Sequence, residues 1–406
     1  MVITHSVLAT LDPDGPLDDL EPLADIVGDA RVVAVGEGAH FVAEFTLARA
    51  RVTRFLAERC GFRVLAMEFG FGDGFGMDEW LRGAPGELAD HCGLLGVGVA
   101  GEYLRWLRRY NTGSAALRFA GVDIPTSTEV HRDLEPVARL LRQVDPEALP
   151  WVTAAQEVGR RFTGGSVAVS AQRWARLPRA EQDTLTTALS RLELRMRALE
   201  SLYAERSDQA AVQRVSWTLR GVRHMDHMFQ ALHGLFTGTG LPGDTSVRDR
   251  FMADSLRWHL ERAAPHERFV LVAHNSHIQK APVSYDGTVA ALPMGFFAGR
   301  ELGADYRAVA VTHTAARVPE MHYPDASSPV GFTVSMVDLP EPSPGSVERL
   351  LVDAGLADRV TLTDLRGVSG VDSMWAQSAR TVLPVAEAFD AVLSTPTATQ
   401  DATIPF

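Results

Sequence analysis

Two short stretches of the chain crowd together side chains able to move protons. Gly36-Glu37-Gly38-Ala39-His40 sets a carboxylate and an imidazole three residues apart, and His274-Asn275-Ser276-His277 sets two imidazoles, an amide and a hydroxyl in four. Between them in sequence, Glu68 interrupts the apolar run RVLAMEFGF, and Asp123 ends the run LRFAGVD. A carboxylate inside an apolar run is costly unless paired, so Glu68 is expected in a site or a buried ion pair. Arg49, nine residues past His40, is a candidate partner for such a carboxylate. Carboxylates and imidazoles on one water-poor rim can divide base and acid work, because burial and like charge push their pKa values apart. Each piece also has a plainer reading. A Glu after a strand usually serves a loop, a His at a helix start often caps it, and a helical Arg is commonly solvated. HxxH also suits a metal, since imidazoles are good zinc ligands. A second HxxH, His224–His227, falls in a long helical pattern and reads as solvated surface.

These groups act together only if the chain positions them. Arg31–Gly36 (RVVAVG) is a β-branched run ending in glycine, the pattern of a buried strand. Glu44–Arg59 reads as an amphipathic helix, Arg63–Phe69 as a second strand and Leu117–Asp123 as a third, a βαβ rhythm that implies parallel pairing. From about Thr128 to Phe236 the signal is almost wholly helical, and Thr237–Asp244 (TGTGLPGD) has the composition of a hinge. The α/β rhythm then returns: a helix at Ser246–Arg262, strands at Arg268–Ala273, Tyr306–Thr312, near Gly331–Val337 and near Ala388–Leu393, and helices at Met294–Leu302 and Val347–Ala354. The first 30 residues read as a short helical lead-in. The fold class expected is α/β: a mainly parallel sheet flanked by helices and interrupted by an all-helical insertion domain. Residues 1–125 and 245–406 form the discontinuous core, and 126–244 the insertion or lid. Ligands of such sheets sit at the carboxyl ends of the strands, which is where Glu37, His40, Glu68, Asp123 and His274 fall. Glycines at 36 and 38 permit a tight turn, and the helix start that follows offers N–H groups to a developing oxyanion.

Bulk properties narrow the function. The 406 residues are 46% hydrophobic and 22% charged, the mix of a globular protein, and 39 basic against 51 acidic residues give a net charge of -12. That balance argues against nucleic acid or an anionic membrane as partner. Two cysteines, the lack of a signal-like N-terminus and the lack of a long apolar run point to a cytoplasmic protein acting on a small molecule. The third glycine of a dinucleotide fingerprint is missing and Glu37 would repel a pyrophosphate; no GxSxG elbow or P-loop occurs, and no cofactor is expected. The sole lysine, Lys280, and one of two asparagines, Asn275, share the stretch AHNSHIQK, which marks both as positions where arginine's fork or another amide does not fit.

As an ordered set these segments resemble the erythromycin esterase family: GEGAH at 36–40 with Glu44-Phe45 and Arg49, Met67-Glu68, LRWLRRYN at 104–111, GVD at 121–123, VRDRFMADSLRW at 247–258, AHNSHIQK at 273–280 and MGFFAGRELGADY at 294–306. The resemblance implies a macrolide-esterase-like α/β fold with a helical insertion, a site in the cleft between them, and metal-independent hydrolytic opening of a macrolactone. It implies His40 as general base, Glu37 and Glu68 as site carboxylates, Arg49 as site arginine, and His274 and His277 as the histidines of the family's HNxH stretch. On this reading His40, Glu37, Glu68, His274 and Arg49 are catalytic. His277, Asn275, Asp123, Phe41 and Lys280 bind substrate, and no residue holds a metal. Ala39 and Phe41 depart from the family, which commonly has a hydroxyl residue before the His and a small one after it. Family relatives in biosynthetic gene clusters leave open a non-hydrolytic member (elimination, cyclisation or transacylation). A metal- or haem-binding protein and an inactive binding module are further alternatives.

Overall fold

The strand Val32–Val35 is buried on both faces, and so is its neighbour Phe269–Val272. Four consecutive apolar residues with no polar side suit a strand covered above and below. Alternate residues serve opposite cores: Val33 and Val35 pack with the helices Glu21–Val27, Ala43–Arg59 and Ala89–Tyr110, whereas Val32 and Ala34 pack with Val247–Arg262, Met294–Leu302 and Val347–Asp353. Each fully buried valine contributes roughly 1.5–3 kcal/mol relative to exposure, which fixes the register of this strand firmly.

A computed structural model describes residues 3–125, 129–241, 243–285, 288–325 and 327–404. Its main sheet has eight strands in the order His5–Val7, Thr361–Asp364, Ala391–Thr395, Tyr306–His313, Val32–Val35, Phe269–Val272, Val64–Gly70, Arg118–Asp123. The five pairings from Ala391–Thr395 to Arg118–Asp123 are parallel. The two at the other edge are antiparallel. The mainly parallel sheet flanked by helices matches the expected class. Three local expectations are adjusted in detail. The N-terminal lead-in begins with an edge strand, His5–Val7, before its helix. The strand near 331–337 is Thr333–Asp338, and among the described residues it pairs only with Arg317–His322, in a hairpin outside the main sheet. The final strand lies slightly later than expected, at Ala391–Thr395.

Between Val130 and Thr237 the chain is helical, ending in the 29-residue helix Gln209–Thr237. These helices share one core, which also takes in Phe71, Phe251 and Trp258 from the α/β part. The expected boundary at 125/126 abuts residues 126–128, outside the described residues, as is Pro242 within the proposed hinge. Of the second HxxH, His227 is exposed and pairs with Asp244, but His224 is not solvated surface: it is half-buried, bonds the Arg220 carbonyl and lies against Phe251. Both cysteines are free. No helix among the described residues is long and apolar enough to cross a membrane.

Candidate active site

The four strands whose ends carry the polar groups are consecutive neighbours: Val32–Val35, Phe269–Val272, Val64–Gly70 and Arg118–Asp123. All run parallel, so their carboxyl ends share one rim. Residues separated by more than 200 positions in sequence meet there for that reason alone.

The turn after Val32–Val35 carries the first pair. Glu37, 4% exposed, accepts from His40 Nδ1 at 2.8 Å through one oxygen and from Arg49 Nη2 at 2.7 Å through the other. Arg49 is itself buried on Ala43–Arg59, which begins three residues after His40 and so folds the guanidinium back over the turn. Burial would raise the Glu37 pKa, but Arg49 and His40 outweigh it and hold the carboxyl below its ordinary value. Burial likewise opposes charge on His40, and the bond and charge of Glu37, with Glu68 behind, raise its pKa above 6.5. Because Nδ1 donates to Glu37, the free Nε2 is the basic nitrogen.

Gly36 and Gly38 serve close approach rather than unusual dihedrals. A Cβ on Gly36 would lie 1.9 Å from Asn275 Oδ1, and one on Gly38 would lie 2.8 Å from the Val311 carbonyl. The expected oxyanion donors at the helix start are largely taken: the His40 N–H donates to Gln377 and the Ala43 N–H to the Thr399 carbonyl at 2.9 Å.

A second network lies beside the first. Pairing of Val64–Gly70 with Arg118–Asp123 shifts register between Met67 and Gly70, and Glu68 leaves the ladder at that irregularity. Glu68 accepts Arg248 Nη2 at 2.9 Å and the His274 N–H at 2.9 Å, with His277 Nε2 at 3.4 Å. Arg248 also grips Asp123 with Nε at 3.0 Å and Nη2 at 2.6 Å. Burial opposes the Glu68 charge, yet His277 and Arg248 hold its pKa far below the usual carboxylate range. Against burial, Asp123 and Glu68 raise that of Arg248.

The two histidines of the HNSH stretch differ. His274 ends a strand and caps the short helix Asn275–Ile278; its Nδ1 accepts the Ser276 N–H at 3.2 Å and lies 2.8 Å from the Ser276 hydroxyl. Burial first, then His40 and His277, lower its pKa to about 3, so it is neutral at pH 7 with its proton on Nε2. His277 sits between Asp249, at 2.7 Å, and Glu68. Burial opposes its charge, but the two carboxylates raise its pKa to about 9. That raised value carries a stability consequence. The contribution of His277 is fully present below pH 6.5 and is lost as pH rises through about 9. Melting temperature is therefore expected to fall between pH 7 and 10 more steeply in the native chain than in His277→Gln. Parallel melting curves over that range would contradict the assignment.

Above these groups lies a cavity of about 500 Å³. Glu37, His40, Arg49, Glu68 and Arg248 form its polar end; Phe41, Met67, Leu95, Val99, Met321 and Phe332 give apolar wall, and Gly164–Ala168 close it from the helical segment. The expected residues thus separate. Glu37, His40, Arg49, Glu68 and Phe41 line the cavity, and the His274 ring lies behind them, 5.0 Å from that of His40. Asp123 is fully buried beneath Arg248 and does not reach the cavity. Asn275 does not reach it either: its amide donates to the Val311 carbonyl at 2.9 Å and accepts the Val311 N–H at 3.2 Å, clasping loop to strand. Lys280 points elsewhere, to Asp390 at 2.9 Å, and His277 is spent on Asp249 and Glu68. Arg248 and Gln377 were missed. Arg248 stands in the first turn of a helix, where a sequence reading expects solvent, and Gln377 lies in a stretch with no apolar pattern to place it. Among the described residues no group of three or more His, Cys, Asp or Glu side chains could hold a metal.

The family model for erythromycin esterase matches residues 57–398. The chain belongs to the erythromycin esterase family. It is 33% identical over 390 residues to erythromycin esterase type I of Escherichia coli, spanning 95% of each chain. To erythromycin esterase type II of Escherichia coli it is 34% identical over 357 residues, 85% of this chain and 84% of that one. Among solved structures, a mutant of the erythromycin esterase EreC in its open conformation superposes with a TM-score of 0.94 at 32% identity, covering 99% of this chain and all of that one. In this chain Phe41, which directly follows His40 and lines the cavity, has a left-handed φ of 66°.

Proposed function

We propose that the protein hydrolyses an ester bond in a polyketide-like lactone, using water activated by His40. The observation that carries this reading is the Glu37–His40 pair at the polar end of a cavity whose other walls are largely apolar. Glu37 accepts the Nδ1 proton and orients the ring. Nε2 takes a proton from water, and the water oxygen attacks the ester carbonyl carbon. The neutral His274, with its proton on Nε2, and the fixed cations of Arg49 and Arg248 supply positive potential for the oxyanion. The intermediate collapses by breaking the carbon–oxygen bond to the leaving alkoxide, which recovers the proton from His40, giving a carboxylate and an alcohol. Kinship to two erythromycin esterases supports a macrolactone as substrate class, and a cavity of about 500 Å³ with an apolar lining is suited to a bulky polyketide face. In this reading segment 126–244 is the insertion that walls the cavity, as Gly164–Ala168 do.

The test is turnover of a macrolactone panel, erythromycin included, in water enriched in heavy oxygen. One heavy oxygen is expected in the carboxylate product. Conversion without incorporation would replace hydrolysis by elimination, cyclisation or transacylation.

A further inference from the structure

The turn that carries His40 is gripped from outside the main sheet. Gln377 opens the two-residue connection between the strands Ser373–Ala376 and Ala379–Val382, where Ala376 pairs with Ala379. Its φ is +53°. A two-residue hairpin loop that needs a left-handed first residue is ordinarily built with glycine, because a Cβ there crowds its own backbone. A side chain retained in such a conformation points to a use for it. Here the side chain is engaged at both ends: Oε1 accepts the His40 N–H, and Nε2 donates to the Pro319 carbonyl at 3.3 Å. The Gln377 N–H donates to the Gly38 carbonyl at 2.7 Å. The next residue, Ser378, donates its N–H to Glu320 at 2.9 Å. Phe41, the other non-glycine residue with positive φ among the described residues, directly follows His40, and its carbonyl accepts the Asp401 N–H at 2.8 Å. The turn is therefore held at Gly38, His40 and Phe41, and Gln377 supplies two of these grips.

We propose that Gln377 is a positioning residue. Its bonds to Gly38 and His40 set the imidazole against Glu37 and aim it into the cavity, and its amide ties that aim to the Arg317–His322 hairpin that carries Met321 into the cavity wall. The proposal rests on His40 being the base. The charged and titratable groups facing His40 are Glu37 on its own turn, Arg49 on Ala43–Arg59, Glu68 on Val64–Gly70 and His274 at the end of Phe269–Val272. Substitution at 377 changes none of them.

Two variants separate aim from scaffold. Gln377→Gly removes the side chain and suits the left-handed turn; Gln377→Ala removes the side chain and keeps the Cβ. With histidines labelled with nitrogen-15 and His40 assigned by its loss in His40→Asn, the His40 titration is expected to move to lower pH in both variants as its bond to Glu37 loosens. On erythromycin, kcat is expected to fall about tenfold or more with KM within about threefold, the split expected of a misplaced base. The melting temperature of Gln377→Gly is expected to stay within about 2 °C of the native chain. An unchanged His40 titration in both variants overturns the proposal, whatever the melting temperature does, and so does a shifted titration with full kcat. If the native chain turns over no ester, the titration alone decides: a shift upholds Gln377 as the residue that positions His40, while the reading of His40 as the base for ester hydrolysis falls separately.

Discussion

Replacing His40 by alanine is expected to lower kcat/KM on the lactone substrate by about 10²–10⁴, the range over which a positioned general base contributes. Among the described residues the imidazole is the one basic group at the cavity's polar end whose partner leaves a nitrogen free for water. Glu37 takes Nδ1, while His274 has its Nδ1 filled and His277 is a cation between carboxylates. Folding should be spared, because Glu37 keeps its ion pair with Arg49 when the ring is removed. Retention of native turnover within about threefold would remove His40 from the mechanism. The native pH profile supplies a second check. A base acts in its neutral form, and the surrounding carboxylates raise the His40 pKa above 6.5. Activity is therefore expected to climb with pH to a midpoint above the ordinary imidazole value, and a midpoint below 6 would contradict the Glu37 contact.

Arg248→Met is expected to cost about 3–5 kcal/mol of stability, the usual penalty for removing one partner of a buried ion pair. Asp123 is fully buried, and among the described residues its carboxylate's remaining bond without the guanidinium is the Ile124 N–H at 2.8 Å. The carboxylate would then have to ionise unpaired or take up a proton. The deficit should accordingly shrink as pH falls, since protonation relieves it, and Asp123→Asn should recover part of it in the double variant. Chemical denaturation of the four chains of this cycle measures both effects. Equal stability of Arg248→Met and the native chain would mean that Asp123 has a partner other than Arg248.

These two residues mark the limits of the sequence reading from opposite sides. His40 was legible because a glycine-rich turn after a fully apolar strand has few places to go, and an imidazole there must face the strand-end rim. Glu68 was legible for a related reason: a carboxylate in an apolar run has to be paired. Arg248 was not, since an arginine in a helix's first turn looks the same whether it meets solvent or a carboxylate from a strand 125 residues earlier. Asn275 and Lys280 show the converse. Their rarity in the composition marked them, but tertiary contacts use one to clasp Val311 and the other to pair with Asp390.

By itself the sequence determined the alternation of buried strands and helices, and with it the parallel sheet and the rim to which Glu37, His40, Glu68 and His274 belong. Local hydrophobic period suffices for that, because each strand must be covered on both faces wherever it lies in the sheet. The tertiary structure decided strand order, and therefore which polar groups touch. It also decided that the region after 310 reaches the cavity and the His40 turn, through Met321, Phe332 and Gln377. Those contacts depend on loop closures of hundreds of residues and on single hydrogen bonds, which leave no periodic trace in the chain.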